Sequence, residues 1–250
     1  MALNKSVSDL SQYQSNVTAQ STATFLLLPG LDGSAELFAP LLQQIPPGYP
    51  HLALRYPADL NWQLSDYADY VCQQVQGIHK LVIIAESFSG PVAVLVAQRL
   101  QQRCQALILA ASFVTCPHPM LKLAQHLLTS LPFKRCPLAL TSWLLFGKAN
   151  AELKQRFQKV WHELDQSLIQ QRLSLLAQLD LRQELATLKV PLLYLRASHD
   201  WLLSSGACAQ ISIANNKLTV QQIPAPHGIL QTQALACWQQ IAGWHLKHNH

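Results

Sequence analysis

Short runs that are apolar at nearly every position alternate along this chain with segments whose apolar residues recur every third or fourth place. Runs of the first kind predict strands buried on both faces, and segments of the second kind predict helices that cover them. Strands are expected at about 24–28, 51–55, 80–85, 106–111, 191–196 and 218–223. Between the first two, Ser34 is placed to cap a helix carrying Leu37, Phe38, Leu41 and Leu42. Between the next two, Tyr67, Val71 and Val75, with Ala68 and Cys72 beside them, make one apolar stripe. The segment 91–102 is apolar nearly all round, as a deeply buried helix would be. A last helix over about 229–246 sets Leu230, Ala234, Trp238 and Ile241 in line. The alternation predicts an α/β fold, a mostly parallel sheet of about six strands flanked by helices.

One connection breaks the rhythm. About 75–80 residues separate the strand near 111 from the strand near 191, far more than a strand-to-helix connection needs. They read as helices at about 118–130, 137–146, 150–163 and 166–188, punctuated by Pro117, Pro119, Pro132, Pro137 and Gly147. The chain thus divides into a polar tail or edge strand over 1–20, a core made of 21–114 and 189–250, and a helical insertion over 115–188. Apolar residues of the insertion include Met120, Leu123, Leu127, Leu128, Phe133, Trp143, Leu144, Leu145, Phe146, Phe157 and Trp161. Roughly two-thirds are expected to pack the insertion onto the sheet, and the rest to line an apolar pocket.

Bulk properties narrow the partners. With 250 residues, half of them hydrophobic and 12% charged, the chain is an ordinary globular one with room for a large core. The formal charge of +5 is scattered over residues such as Lys154, Arg156, Lys159 and Arg172, with only Lys134 and Arg135 adjacent. That is no clustered basic face, so nucleic acid is not an expected partner. No segment reaches the length of a membrane span, and the N-terminal residues lack the apolar centre of a signal peptide. The cysteines at 72, 104, 116, 136, 208 and 237 have no C-x-x-C spacing. Free thiols in a reducing, cytoplasmic setting are therefore expected. His245, His248 and His250 read as a solvated tail rather than a metal site. A glycine-rich dinucleotide fingerprint, a phosphate loop and a metal-ligand cluster are all missing, which points to chemistry without a cofactor. Oligomeric state is left open.

The chemistry starts at KLVIIAESFSG, residues 80–90. A buried strand turns sharply into a helix with Ser87 at the corner. Such a corner holds a serine in strained backbone geometry with its hydroxyl outward. It also requires small residues two before and two after; here they are Ala85 and Ser89 where glycine is usual. Serine at a strand–helix junction is also a common helix cap, but three further segments favour the functional reading. FLLLPGLDG (25–33) runs from a strand into Pro29, Gly30, Leu31 and a turn at Asp32-Gly33. PLLYLRASHD (191–200) is a buried strand ending at Asp200, and LTVQQIPAPHG (218–228) is a strand ending at His227. Asp32 suits a turn, although a carboxylate there could also repel anionic acyl groups.

The order of loop, Ser, Asp and His resembles the α/β-hydrolase superfamily from about residue 24 to the end. The chain is most similar to small bacterial serine esterases with a helical lid. The resemblance implies an α/β-hydrolase fold in which the insertion is a four-helix lid. It implies a triad of Ser87 as nucleophile, His227 as base and Asp200 as the acid that orients and supports the imidazole. The backbone N–H groups of Leu31 and Phe88 would form the oxyanion hole, with Gly30 letting the loop approach closely. Pro29 stands where histidine is frequent in the superfamily. The other usual site for the acid reads AASFVTCPHP (110–119) and holds no carboxylate, while Asp165 and Asp180 lie in the insertion. His199, His118 and His126 are poorer candidates by position. Serine at 87, where dehalogenases and epoxide hydrolases of this fold carry aspartate, implies acyl chemistry. The expected function is a carboxylesterase for small to medium apolar acyl esters. The alternatives are a thioesterase, an acyltransferase, or a small-ligand receptor on the same fold.

Overall fold

A computed structural model describes residues 23–118, 121–122, 136–203 and 205–248. The segment 1–20, most of the helix expected over 118–130, and with it Met120, Leu123, His126, Leu127, Leu128 and Phe133, lie outside the described residues.

Six strands are described: β1 Thr24–Leu28, β2 His51–Ala53, β3 Leu81–Glu86, β4 Cys104–Ala110, β5 Leu192–Ala197 and β6 Leu218–Ile223. They form one sheet in the order β2-β1-β3-β4-β5-β6, and each neighbouring pair is parallel. Four central strands bury both faces. In β3, Leu81, Ile83 and Ala85 enter one core and Val82 and Ile84 the other, the period of two that a pleated strand imposes. The expectation of two-faced burial fails at the edges. All three residues of β2 are half-buried, and in β6 Val220 is 41% exposed. An edge strand has a neighbour on one side only, so its outer residues meet water.

In chain order the helices are α1 Ala39–Leu42, α2 Leu64–Gln74, α3 Ser89–Leu100, α4 Leu138–Phe146, α5 Ala151–Glu163, α6 Gln166–Leu176, α7 Arg182–Thr187, α8 Ser205–Ala214, α9 Ile229–Thr232 and α10 Ala234–His248. One sheet face is covered by α2, α3 and α8; the other is covered by α1, α9 and α10. Three expectations need correction. Ser34 caps no helix: its hydroxyl donates to Asp32 Oδ2 at 2.6 Å, and the helix begins as a 3-10 turn, Glu36–Phe38. The last helix is broken at Gln233. The single helix expected over 166–188 is two, α6 and α7.

That break has a structural reason. Where the insertion leaves and re-enters the core, its two strands of chain bond to each other. Thr115 bridges Asp180, Cys116 N–H donates to Leu179 O at 2.9 Å, and Leu181 N–H donates to Val114 O at 2.8 Å. Backbone groups committed to that clasp cannot continue a helix. Above it, α5 begins at Asn150, whose side chain accepts from Leu153 N, and α6 at Asp165, whose side chain accepts from Ser167 N. Phe146 of α4 and Leu153, Phe157 and Val160 of α5 form a separate small core with Leu37.

Candidate active site

The register brings the C-terminal ends of the central strands level. Leu28 lies beside Ala85, and Glu86 beside Ala110. In an open parallel sheet this edge is where ligands bind. Ser87 follows β3 with φ +47°, the left-handed region that a serine adopts only where the surroundings hold it. Its N–H donates to Ala110 O at 3.0 Å, and its carbonyl accepts from Gly90 N at 3.1 Å and Ser112 Oγ at 2.6 Å. Ser112 is itself fixed, because Tyr194 Oη donates to its carbonyl at 2.9 Å. Only glycine fits at position 90: a Cβ there would lie 1.9 Å from Ser112 Oγ.

The three side chains expected to act together are in one hydrogen-bonded line. Ser87 Oγ is 2.9 Å from His227 Nε2, and His227 Nδ1 is 2.8 Å from Asp200 Oδ2. A carboxylate can only accept, so Nδ1 carries the proton and Nε2 is free to accept from the serine. The other oxygen of Asp200 accepts from Leu202 N–H at 2.8 Å and Leu203 N–H at 3.0 Å. Burial works against the charge on Asp200. The bond to His227, the charge of that ring and the two N–H groups outweigh it and hold the carboxyl below its ordinary value. Asp165 and Asp180 are occupied elsewhere, the first capping α6 and the second paired with Arg182 Nη2 at 2.6 Å. The side chain of His199 is exposed, and His118 lies at the cavity wall.

The loop carrying His227 depends on its glycine, though not for a left-handed turn. Gly228 has φ −73°. A Cβ there would lie 2.4 Å from Phe146 Cδ1, so glycine lets α4 close onto this loop, and Gly228 N–H donates to Leu145 O at 2.7 Å.

The loop after β1 is pinned at four points. Ser89 Oγ donates to Pro29 O, and Tyr56 Oη donates in turn to Ser89 Oγ at 2.6 Å. Serine in place of the usual glycine two residues after Ser87 therefore adds a tie between elbow and loop. Gly33 N–H donates to Gly30 O at 3.0 Å, and the Asp32 carboxylate accepts from Ser34 N–H at 2.9 Å and from Ser34 Oγ. Asp32 thus forms the expected turn. The fourth tie comes from the insertion: Arg172 Nη1 of α6 donates to Leu31 O at 2.8 Å. Gly30 is less constrained than expected. A Cβ there would make only ordinary contacts, 3.5 Å from Asp32 Oδ1 and 4.0 Å from Ser87 Cβ.

Ser87 and His227 open onto a cavity of about 620 Å³, within the usual range for small-molecule sites. Gly30, Leu31, Glu86 and Phe88 line its floor, and Leu144, Leu145, Phe157, Trp161, Ile169 and Leu173 of the insertion line its walls. Two carboxyls interrupt this apolar lining. Burial pushes Glu86 up to about 7, aided by the charge of Asp32 and opposed by the hydrogen bond from Gln231 Nε2 at 3.0 Å and by the charge of His227. Asp32 is raised too, by burial, against its bonds to Ser34 and the charge of Arg172. Among the described residues, no group of three or more His, Cys, Asp or Glu side chains is placed to hold a metal ion, and no helix is long and apolar enough to cross a membrane.

Several contributors were not among the expected site residues: Ser112, Tyr56, Glu86, Gln231 and Arg172. Arg172 had a legible signal. It occupies the buried stripe of α6 with Leu168, Ile169 and Leu176, where helical spacing calls for an apolar residue.

No protein-family model matches this chain, and no curated protein sequence matches it significantly. Solved structures do resemble it. An esterase from Exiguobacterium antarcticum superposes with a TM-score of 0.80, covering 90% of this chain and 92% of its own, at 16% identity. An enol-lactonase from Burkholderia xenovorans LB400 gives a TM-score of 0.77 over 91% and 92% of the two chains at 14% identity. A bromoperoxidase from Bacillus anthracis gives 0.76 over 91% and 92% at 12% identity. The protein therefore has the α/β-hydrolase fold. Its activity is a matter for the site, since one fold hosts many chemistries.

Proposed function

We propose that the protein is a serine hydrolase that cleaves esters of small to medium apolar acyl groups through an acyl-enzyme on Ser87. The observation that carries this reading is the unbroken line Ser87–His227–Asp200, whose first two members line an apolar cavity. Ser87 Oγ attacks the ester carbonyl carbon while His227 Nε2 takes its proton. Asp200, kept ionised by its hydrogen bonds, supports the imidazolium. The carbonyl π pair moves onto oxygen, and the N–H groups of Leu31 and Phe88 receive that charge. As the carbonyl re-forms, the ester C–O bond breaks and His227 returns the proton to the departing alkoxide. Water, deprotonated by the same nitrogen, then releases the acid and restores Ser87.

In this reading the helices α4, α5 and α6 form a lid whose inner side receives the acyl chain. The apolar walls favour hydrocarbon, and the carboxylate of Asp32 disfavours anionic acyl groups. The test is a fluorophosphonate probe that reports labelling of Ser87, followed by p-nitrophenyl esters and CoA thioesters of graded chain length. Labelling and ester turnover are expected. Turnover of thioesters alone would move the assignment to a thioesterase. Tight binding of esters without labelling or turnover would favour the receptor alternative.

A further inference from the structure

Arg172 is a charged side chain in an apolar place. It is 1% exposed, and full burial of a guanidinium is costly unless its donors and charge are met. Here they are met by the parts expected to hold the oxyanion. Nη1 donates to Leu31 O at 2.8 Å, and Nε donates to Tyr67 Oη at 3.2 Å. The guanidinium carbon lies 5.9, 5.7 and 6.0 Å from the ring centres of Tyr56, Tyr67 and Phe88, the geometry of a cation held over aromatic faces. Gly33, at φ +70°, leaves room for it, because a Cβ there would lie 2.4 Å from Nη1. One guanidinium thus grips the carbonyl of Leu31 and the ring of Phe88, two residues that line the same cavity and whose N–H groups are the proposed oxyanion donors. It reaches them from α6, in the insertion.

We infer that Arg172 is a positioning residue that sets the oxyanion hole from the insertion, holding the Leu31 and Phe88 peptide groups at the separation a tetrahedral oxyanion requires. The inference rests on the serine-hydrolase reading above. Oxyanion stabilisation depends on donors aimed beforehand at the place where charge develops, and a misplacement of about 1 Å can cost on the order of 10²-fold in rate. The hydrogen bond to the carbonyl of Leu31 fixes the peptide joining Leu31 to Asp32, and the bond from Gly33 N–H to Gly30 O fixes the peptide before it, which carries Leu31 N–H; Arg172 therefore acts on that N–H through the Leu31 Cα that the two peptides share. Packing against Phe88 fixes the other side of the hole. Because α6 supplies the grip, the hole is in register only when the insertion is seated over the cavity.

The experiment compares wild type with Arg172→Met and Arg172→Lys. Methionine keeps the volume and removes the charge, an exchange that buried ionic sites often tolerate. Lysine keeps a donor but loses the planar fork. Each protein is assayed for kcat and KM on a medium-chain p-nitrophenyl ester. Each is also assayed for inhibition by an alkyl trifluoromethyl ketone and by the methyl ketone of the same chain. The trifluoromethyl ketone takes up Ser87 Oγ at its carbonyl carbon. The serine proton passes to His227 and the oxygen becomes an oxyanion in the hole, whereas the methyl ketone binds without that addition. For Arg172→Met we expect kcat to fall about 10- to 100-fold, KM to change less than about twofold, and the trifluoromethyl ketone to weaken by the same factor as kcat. Methyl ketone binding should not change, and Arg172→Lys should recover part of the loss. If the methionine variant does not fold, the lysine variant carries the same comparison. Equal weakening of both ketones, or a fall in kcat with no change in the trifluoromethyl ketone, would overturn the inference and leave Arg172 a packing residue. Absence of probe labelling and turnover in the wild type would remove the serine-hydrolase reading itself, and this inference with it.

Discussion

In the sheet core Ile83 and Ile84 are fully buried, whereas in α4 of the insertion Leu140 is 46% and Trp143 50% exposed. Both β3 and α4 are rich in apolar residues and use them differently. Core side chains on β3 and its neighbours meet protein on every side, and the sheet edge they support carries Ser87 in a backbone conformation that loose packing could not hold. Of the residues of α4, only Ser142 and Phe146 are buried, while Leu144, Leu145, Trp161 and Leu173 line the cavity. Under the proposed function the difference separates two tasks: the core would fix the reacting atoms, and the insertion would shape what approaches them. The regions are not independent, because two loops of the candidate site are bonded to the insertion, through Gly228 N–H to Leu145 O and through Arg172 to Leu31 O.

The largest effects should come from the core side of this division. Ser87→Ala should lower kcat by about 10⁶-fold, the scale on which a serine nucleophile acts. The melting temperature should stay near wild type, since only a hydroxyl is removed. Retention of a tenth of the activity would mean that the elbow is not the reacting centre. Asp200→Asn should cost about 10³–10⁴-fold, by leaving the imidazole in the wrong tautomer with its charge unsupported. Asp165→Asn and Asp180→Asn should turn over near the wild-type rate, because those carboxylates cap a helix and pair with Arg182. If either matched the loss at Asp200, the division between core and insertion would be drawn in the wrong place.

The core was legible in the sequence for a physical reason. A central parallel strand is apolar at nearly every position, so β1, β3, β4 and β5 stand out as runs, and a sharp strand–helix turn needs small residues around its serine. Edges and joints were less legible. His51–Ala53 is half-buried, and nothing local marks where such a strand ends. The break between α6 and α7 depends on the clasp from Val114 to Leu181, a pairing of segments far apart in sequence. Arg172 and Ser112 act on loops to which they are brought only by folding, 141 positions away for Leu31 and 25 for Ser87. Asp200 and His227 could be chosen from the sequence because each follows a strand run and is a residue type that the chemistry of Ser87 needs; Tyr56 also follows a run, but neither it nor Gln231 is of such a type.

A pH experiment separates the floor of the cavity from its walls. Glu86 is raised from 4.5 to about 7 by burial first, then by the charge of Asp32, against Gln231 and His227. Between those two values the folded protein keeps a proton that the unfolded chain releases. This group's contribution is therefore present in full below about pH 4.5 and is lost as pH rises through about 7. The loss amounts to about 3 kcal/mol. Glu86→Gln cannot ionise and keeps an acceptor for Gln231 Nε2. Its melting temperature should hold between about pH 5 and 8 where that of the wild type falls. Parallel curves for the two proteins would show that Glu86 does not titrate there.

The smallest expected effect tests the insertion alone. Trp161 lies on the cavity wall and stacks with Phe157 at 5.7 Å between ring centres. Removing its ring in Trp161→Ala lengthens the space open to an acyl chain. A methylene more or less in an apolar pocket is worth about 1–3 kcal/mol, so the ratio of kcat/KM for a long over a short p-nitrophenyl ester should rise by roughly tenfold. Because the residue is only half-buried, the melting temperature should drop far less than for truncation of a fully buried core side chain, which costs about 2–5 kcal/mol. The chain-length series and a melting curve on the same preparation decide the matter. A core-sized drop in stability with an unchanged chain-length optimum would make Trp161 part of the packing, and the insertion would then be a second core rather than the wall that selects the substrate.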